Sequence, residues 1–335
     1  MNDLIKIAVS LLPVFLFLGA LIVFDSYKLV KLPSLLVTIA AGCAVALICM
    51  GINTRLLNLW PMEFKTFAKY VAPVIEELLK AVYIVFLVRL KRVGFMVDAA
   101  IYGFAIGAGF AFVENIFYLQ TIPSSHILVW IVRGFGTAIM HGTTTAIFAI
   151  LSKNLSARTS TETLMIFLPG WGVAILTHSV YNHFFLPPVL VTVSFLIVLP
   201  LLMMVIFERS EKATQNWLGI GFDTDVDLLA MIISGNISET RIGRYLQSLK
   251  SSFPGEAVAD MLCFLRIHLE LAVRAKGTLL MRESGFKVAA DPEVKAKFEE
   301  LKYLEKSIGK TGKLAIAPFL HTSSRDLWQM NMIVS

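Results

Sequence analysis

Two glutamates stand side by side at Glu76 and Glu77, with a third at Glu114, histidines at His141 and His178, and an amide at Asn182. Carboxylates take protons from water, and imidazoles pass protons, polarise carbonyls or bind metals. Adjacent glutamates on a helix point about 100° apart, so Glu76 and Glu77 cannot perform one task at one spot. One can hold water. The other can pair with Lys80, which is i+4 from Glu76 and i+3 from Glu77. Asn182, one turn beyond His178, reads as an oxyanion donor or as the orienter of that histidine. Such a set suits hydrolysis, with Glu76 or Glu77 as the water-activating base. His141, His178 and Glu114 are also donors that zinc accepts, although no HExxH motif is present. The cofactor is therefore open at this level: none, or a divalent metal such as zinc.

These residues are conspicuous because of where they lie. The mean hydropathy is +0.73, with 56% hydrophobic and only 16% charged residues, whereas soluble domains carry about a quarter charged. Apolar runs at 4–24, 33–51, 70–88, 97–119, 127–151, 164–186 and 188–207 each approach the length a spanning helix needs. The expected fold is all-α, a polytopic bundle of about seven spans over 1–207 followed by a cytoplasmic helical domain over 208–335. The first run has only Lys6 as a positive n-region and no small-x-small cleavage site, which favours a retained helix over a signal peptide.

A charged group in mid-span costs about 2.5–3.5 kcal/mol on insertion scales, so those that occur face protein or water and mark function. Helical rise places Glu76 and Glu77 about 9–10 Å, Glu114 about 8 Å and His178 about 10 Å from the outer ends of their runs, with His141 somewhat deeper. Helical stripes agree with a shared interior. Gly103, Gly107, Ala111, Glu114 and Tyr118 share one, as do Gly134, Ala138, His141 and Thr145, and Ala174, His178 and Asn182. The glycines read as helix packing. Asp98 reads as complementing its own helix N-terminus and Arg133 as snorkelling to the outer end. His183 falls at the membrane boundary, and spacing assigns no role to His126, His268 or His321.

Lys28 and Lys31, then Arg89, Lys91 and Arg92, then Lys153 and Arg158 occupy alternate loops, while those around Pro123 and around Pro187 and Pro188 carry no Lys or Arg. The charged loops are expected in the cytoplasm, with the N-terminus outside and the C-terminal domain inside an inner cell membrane. Arg55, Lys65 and Lys69 depart from that pattern. The pI near 9.2 reflects such loops, and nucleic-acid binding is not expected. Cys43, Cys49 and Cys263 form no disulfide or zinc-finger framework. Roughly 8 of the 24 acidic groups fall in 1–207, so two physical regimes share the chain. Beyond Glu208 come amphipathic stretches at 238–250, 254–276 and 291–308, the last opened by Asp291 and Pro292. No catalytic motif is visible there. The domain reads as a regulatory module for a cytoplasmic protein partner.

The segments Glu76-Glu77-Leu78-Leu79-Lys80, Asp98 to Tyr118, Arg133 to Gly142, and His178-Ser179-Val180-Tyr181-Asn182 resemble the PrsW family of intramembrane proteases. More distantly they are similar to the CAAX-processing and bacteriocin-protection membrane proteases, whose motifs read EExxxR, FxxxH and HxxxN. The resemblance spans about 70–185. It implies site-1 type cleavage of a membrane-anchored protein substrate, such as an anti-sigma factor, near its extracytoplasmic side, in contact with the lipid bilayer. The matching residues are Glu76, Glu77, Glu114, His141, His178 and Asn182. Phe110-x-x-x-Glu114 has glutamate where the CAAX-type motif has histidine, and Lys80 sits one residue before that motif's arginine. Both departures favour the PrsW branch. Two other classes use similar residues: an ion- or proton-coupled transporter, which predicts an inverted repeat that the chain lacks, and a non-catalytic membrane scaffold.

Overall fold

The structure, a computed structural model, describes residues 3–60, 62–122, 126–158, 163–286 and 291–320. Pro123 and His321 lie outside them. The described residues are helical, with no strand among them. In order they form α1 (Asp3–Val23), α2 (Leu32–Leu59), α3 (Phe64–Thr66), α4 (Ala72–Arg89), α5 (Met96–Thr121), α6 (Ile127–Ile131), α7 (Ala138–Arg158), α8 (Leu168–His183), α9 (Pro188–Ile233), α10 (Arg241–Ser248), α11 (Gly255–Glu283) and α12 (Pro292–Ile316). Two π-helical turns, Phe67–Val71 and Val132–Thr137, join α3 to α4 and α6 to α7. The chain divides into two compact units, residues 1–210 and 211–335.

Among the described residues six helices are long and apolar enough to cross a membrane, one fewer than the runs suggest. The difference is α4, covering the run at 70–88. Its Glu76, Glu77 and Lys80 take it out of the apolar class, and all three are buried inside the bundle.

Helix α5 is the centre of the first unit. Ala100, Phe104, Ala105, Ile106, Ala108 and Ala111 are wholly buried. Its glycines let neighbouring backbones touch it. A Cβ added at Gly107 would lie 2.2 Å from the His141 carbonyl oxygen, and one at Gly109 would lie 2.1 Å from that of Ile39. Helices α7 and α2 therefore press against α5 backbone to backbone. Outward residues such as Leu16, Leu47, Val82, Leu176 and Leu201 are exposed, as lipid-facing side chains should be.

The second unit buries Met261, Leu265, Leu271, Leu304 and Ile316 between α11, α12 and their neighbours. Thr240 caps α10 by accepting from Gly243 N, and Asp291 caps α12 by accepting from Glu293 N. Lys276 and Asp225 form a buried pair at 2.7 Å.

Candidate active site

The π turn before α4 breaks the regular backbone ladder. The Lys69 carbonyl accepts from Ser179 Oγ at 2.6 Å and the Ala68 carbonyl from Asn182 Nδ2 at 2.9 Å. Both donors are on α8, either side of the turn that follows His178. Asn182 thus ties α8 to the foot of α4. Its amide is engaged with the Ala68 carbonyl, on the cavity wall.

With α8 pinned there, His178 meets both glutamates of α4. Its Nδ1 lies 2.8 Å from Glu77 Oε1, while its Nε2 lies 4.0 Å from Glu76 Oε2. A carboxylate accepts, so Nδ1 carries the proton and Nε2 presents a lone pair. Glu77 Oε1 also receives Lys80 Nζ at 2.5 Å and Thr144 Oγ1 at 3.2 Å. Lys80 has no exposed surface and binds Glu77 rather than Glu76. Glu76 accepts instead from Asn53 Nδ2 at 3.2 Å.

His141 is held from both sides. Lys80 Nζ donates to its Nδ1 at 3.1 Å, so the imidazole proton sits on Nε2 and is donated to Glu114 Oε2 at 3.1 Å. The two imidazoles meet edge to face with centroids 4.8 Å apart. All six residues singled out by sequence are therefore brought together, around a cavity of about 590 Å³. Glu76, Glu114, His141, His178 and Asn182 line it, and Glu77 stands behind them.

Arg133 is a correction. Its expected place was the outer end of a span, but it lies in the cavity wall, 3.2 Å from Glu114 Oε2 and with Cζ 3.7 Å from the Tyr118 ring centroid. Lys65 and Lys69, which fit the topology pattern least, also line the cavity. His183 is bonded to the Ser179 carbonyl and to Tyr70 Oη. Asp98 accepts from Gly94 N and Phe95 N at the start of its own helix. Spacing gave no reason to select Asn53, Thr144 or Asn115. Their signal was polarity within apolar helices, which marks many packing residues equally.

The family model of PrsW intramembrane metalloproteases matches residues 31–207, more than half of the chain. The chain belongs to the PrsW family. It is an integral membrane peptidase. Neither the curated proteins nor the solved structures compared with it gave a match.

Membership of a metalloprotease family implies a divalent ion, and the donors fit one. Ligand atoms of Glu76, His141 and His178 all lie within 4.8 Å of one another, and two histidines with one carboxylate are a set that zinc accepts. Each histidine gives its N–H to a further carboxylate, His178 to Glu77 and His141 to Glu114, the arrangement that orients metal-binding imidazoles; His178 Nε2 is left free, whereas His141 Nδ1 accepts from Lys80, which would have to release it for the ring to bind an ion. The carboxylate in this trio is Glu76. Glu114, the expected ligand, stands on the far side of His141, drawn there by Arg133.

Proposed function

We propose that this cavity hydrolyses a peptide bond of a membrane-anchored protein, with Glu76 as the base that activates the attacking water. The observation that carries the reading is the 4.0 Å separation of Glu76 Oε2 and His178 Nε2 on the cavity wall. It is too long for a direct hydrogen bond and suits one bridging water. Both atoms are acceptors. A water between them donates both hydrogens, and its lone pairs are left for attack.

Glu76 takes the proton as the water oxygen adds to the scissile carbonyl carbon. It then returns that proton to the leaving nitrogen as the C–N bond breaks, which yields a carboxylate and an amine. Glu77 holds the His178 ring so that Nε2 stays turned to the water, and Lys80 fixes Glu77. Glu114 does the same for His141. In a metal-dependent variant of this reading, Glu76, His141 and His178 would instead hold a divalent ion such as zinc, which would supply Lewis acidity to the water and the carbonyl in place of the base role of Glu76.

The distribution of Lys and Arg supports a cavity near the extracytoplasmic face, an N-terminus outside and the C-terminal domain in the cytoplasm. A single-pass protein with its cleavage site close to that face, such as an anti-sigma factor, is the substrate class proposed. The test is reconstitution with single-pass substrates, comparing wild type with Glu76→Gln. Cleavage by wild type and its loss in the variant are expected, whereas equal cleavage by both overturns the assignment. Flux of ions without cleavage of any substrate would favour a transporter.

A further inference from the structure

Glu114 is held in place from outside the cavity. Arg133 Nη2 lies 3.2 Å from Glu114 Oε2, yet Nη2 is buried without a well-aligned hydrogen bond. The contact is one of charge, so Glu114 does not set where the guanidinium points. What sets it is on the other side. Arg133 Nε donates to Asn115 Oδ1 at 2.9 Å, and its Cζ lies over the Tyr118 ring, 3.7 Å from the centroid. Asn115 is buried, and its Nδ2 donates to the Ser10 carbonyl of α1 at 2.8 Å. An asparagine is suited to this place, because its amide donates to a carbonyl while its oxygen accepts from a guanidinium.

Helix α1 is shaped to receive these contacts. Pro13 has no N–H, so the Val9 carbonyl loses its intrahelical donor. Gly134, next to Arg133 in the π turn, backs onto that carbonyl so closely that a Cβ would lie 1.9 Å from it. The family match begins at residue 31, beyond α1 altogether.

We infer that Asn115 and Arg133 are positioning residues of the active site, which hold Glu114 on His141 and use α1 as their outer anchor. The inference rests on the proteolytic reading of the cavity. Carboxylates that orient metal-binding histidines change metal affinity or activity by about 10- to 100-fold when lost, and a device that holds such a carboxylate acts through the same term.

The test uses full-length protein in detergent, loaded with zinc alone. Zinc retained against a graded chelator is measured together with kcat and KM on a single-pass substrate. Asn115→Ala is expected to hold zinc about tenfold less tightly and to lower kcat about tenfold, with KM within about twofold. Asn115→Asp, which keeps the acceptor for Arg133 but not the donor to the Ser10 carbonyl, is expected to recover only part of both losses. Arg133→Lys keeps a cation but not the Nε donor, and serves if the alanine variant does not fold. It is expected to weaken zinc retention as Asn115→Ala does. Wild-type zinc retention and turnover in Asn115→Ala overturn the inference, as does wild-type zinc retention in Arg133→Lys. Wild-type protein that neither retains zinc nor cleaves overturns the proteolytic reading itself.

Discussion

Glu76 and Glu77, neighbours in the chain, address opposite edges of one imidazole, Glu77 at 2.8 Å from Nδ1 of His178 and Glu76 at 4.0 Å from its Nε2. One carboxylate fixes the ring and the other shares with it a small volume of the cavity. The two should therefore fail in different ways when altered.

Glu76→Gln should lower cleavage by about 10²- to 10⁴-fold, the usual contribution of a general base, with little change in melting temperature. Glu77→Gln should lower both. It leaves Lys80 charged, wholly buried and without its carboxylate, a loss of about 3–5 kcal/mol for a broken buried pair. Melting and turnover measured side by side on the two variants decide this, and equal melting losses would refute the division of labour.

Removal of divalent ions should abolish activity if Glu76, His141 and His178 hold one. Dialysis against a strong chelator should strip the metal, measured by elemental analysis, and added zinc should restore turnover. His178→Ala should retain less zinc than wild type. Full turnover by metal-free protein would leave the glutamates and histidines to act alone.

Gly107→Ala should destabilise the bundle by about 1–3 kcal/mol and impair turnover, because its methyl would lie 2.2 Å from the His141 carbonyl and push α7 from α5. Gly172→Ala on α8 meets nothing within 4 Å and should be neutral or stabilising by up to about 1 kcal/mol. Thermal unfolding of the two variants separates close packing from helix propensity.

The C-terminal domain should lose stability in acid through Glu270. Burial opposes its ionisation, but Lys297 and Arg274 outweigh that and hold its carboxyl below the ordinary 4.5. In this range the unfolded chain binds more protons than the folded one. The stabilisation is complete above about pH 4.5 and fades as the pH falls through the lowered value. Amide exchange in α11 and α12, corrected for its intrinsic pH dependence, should show the loss. Lys297→Met should flatten it.

Much of the plan was visible in one dimension. Helical class follows from apolar runs of membrane length, and α10, α11 and α12 begin near the breaks that Gly, Pro and Asp291 signal. Each of the five ionisable residues selected by depth belongs to the cluster, since an ionisable group in lipid needs a partner wherever the chain provides one. Arg133 was misplaced because snorkelling and inward pairing look alike in sequence. Only the presence of Glu114 at 3.2 Å separates them.

Sequence alone determined which residues are costly to place in a membrane and which share a helix face, because hydrophobicity and helical period are properties of a single segment. The tertiary structure decided what each one touches. Lys80 pairs with Glu77 through rotamer and burial, His178 reaches α4 through the carbonyls of a π turn, and Arg133 reaches Asn115 across α5. Such contacts join groups that in several cases lie far apart in the chain, and their geometry depends on how closely helix backbones approach, a quantity no segment carries by itself.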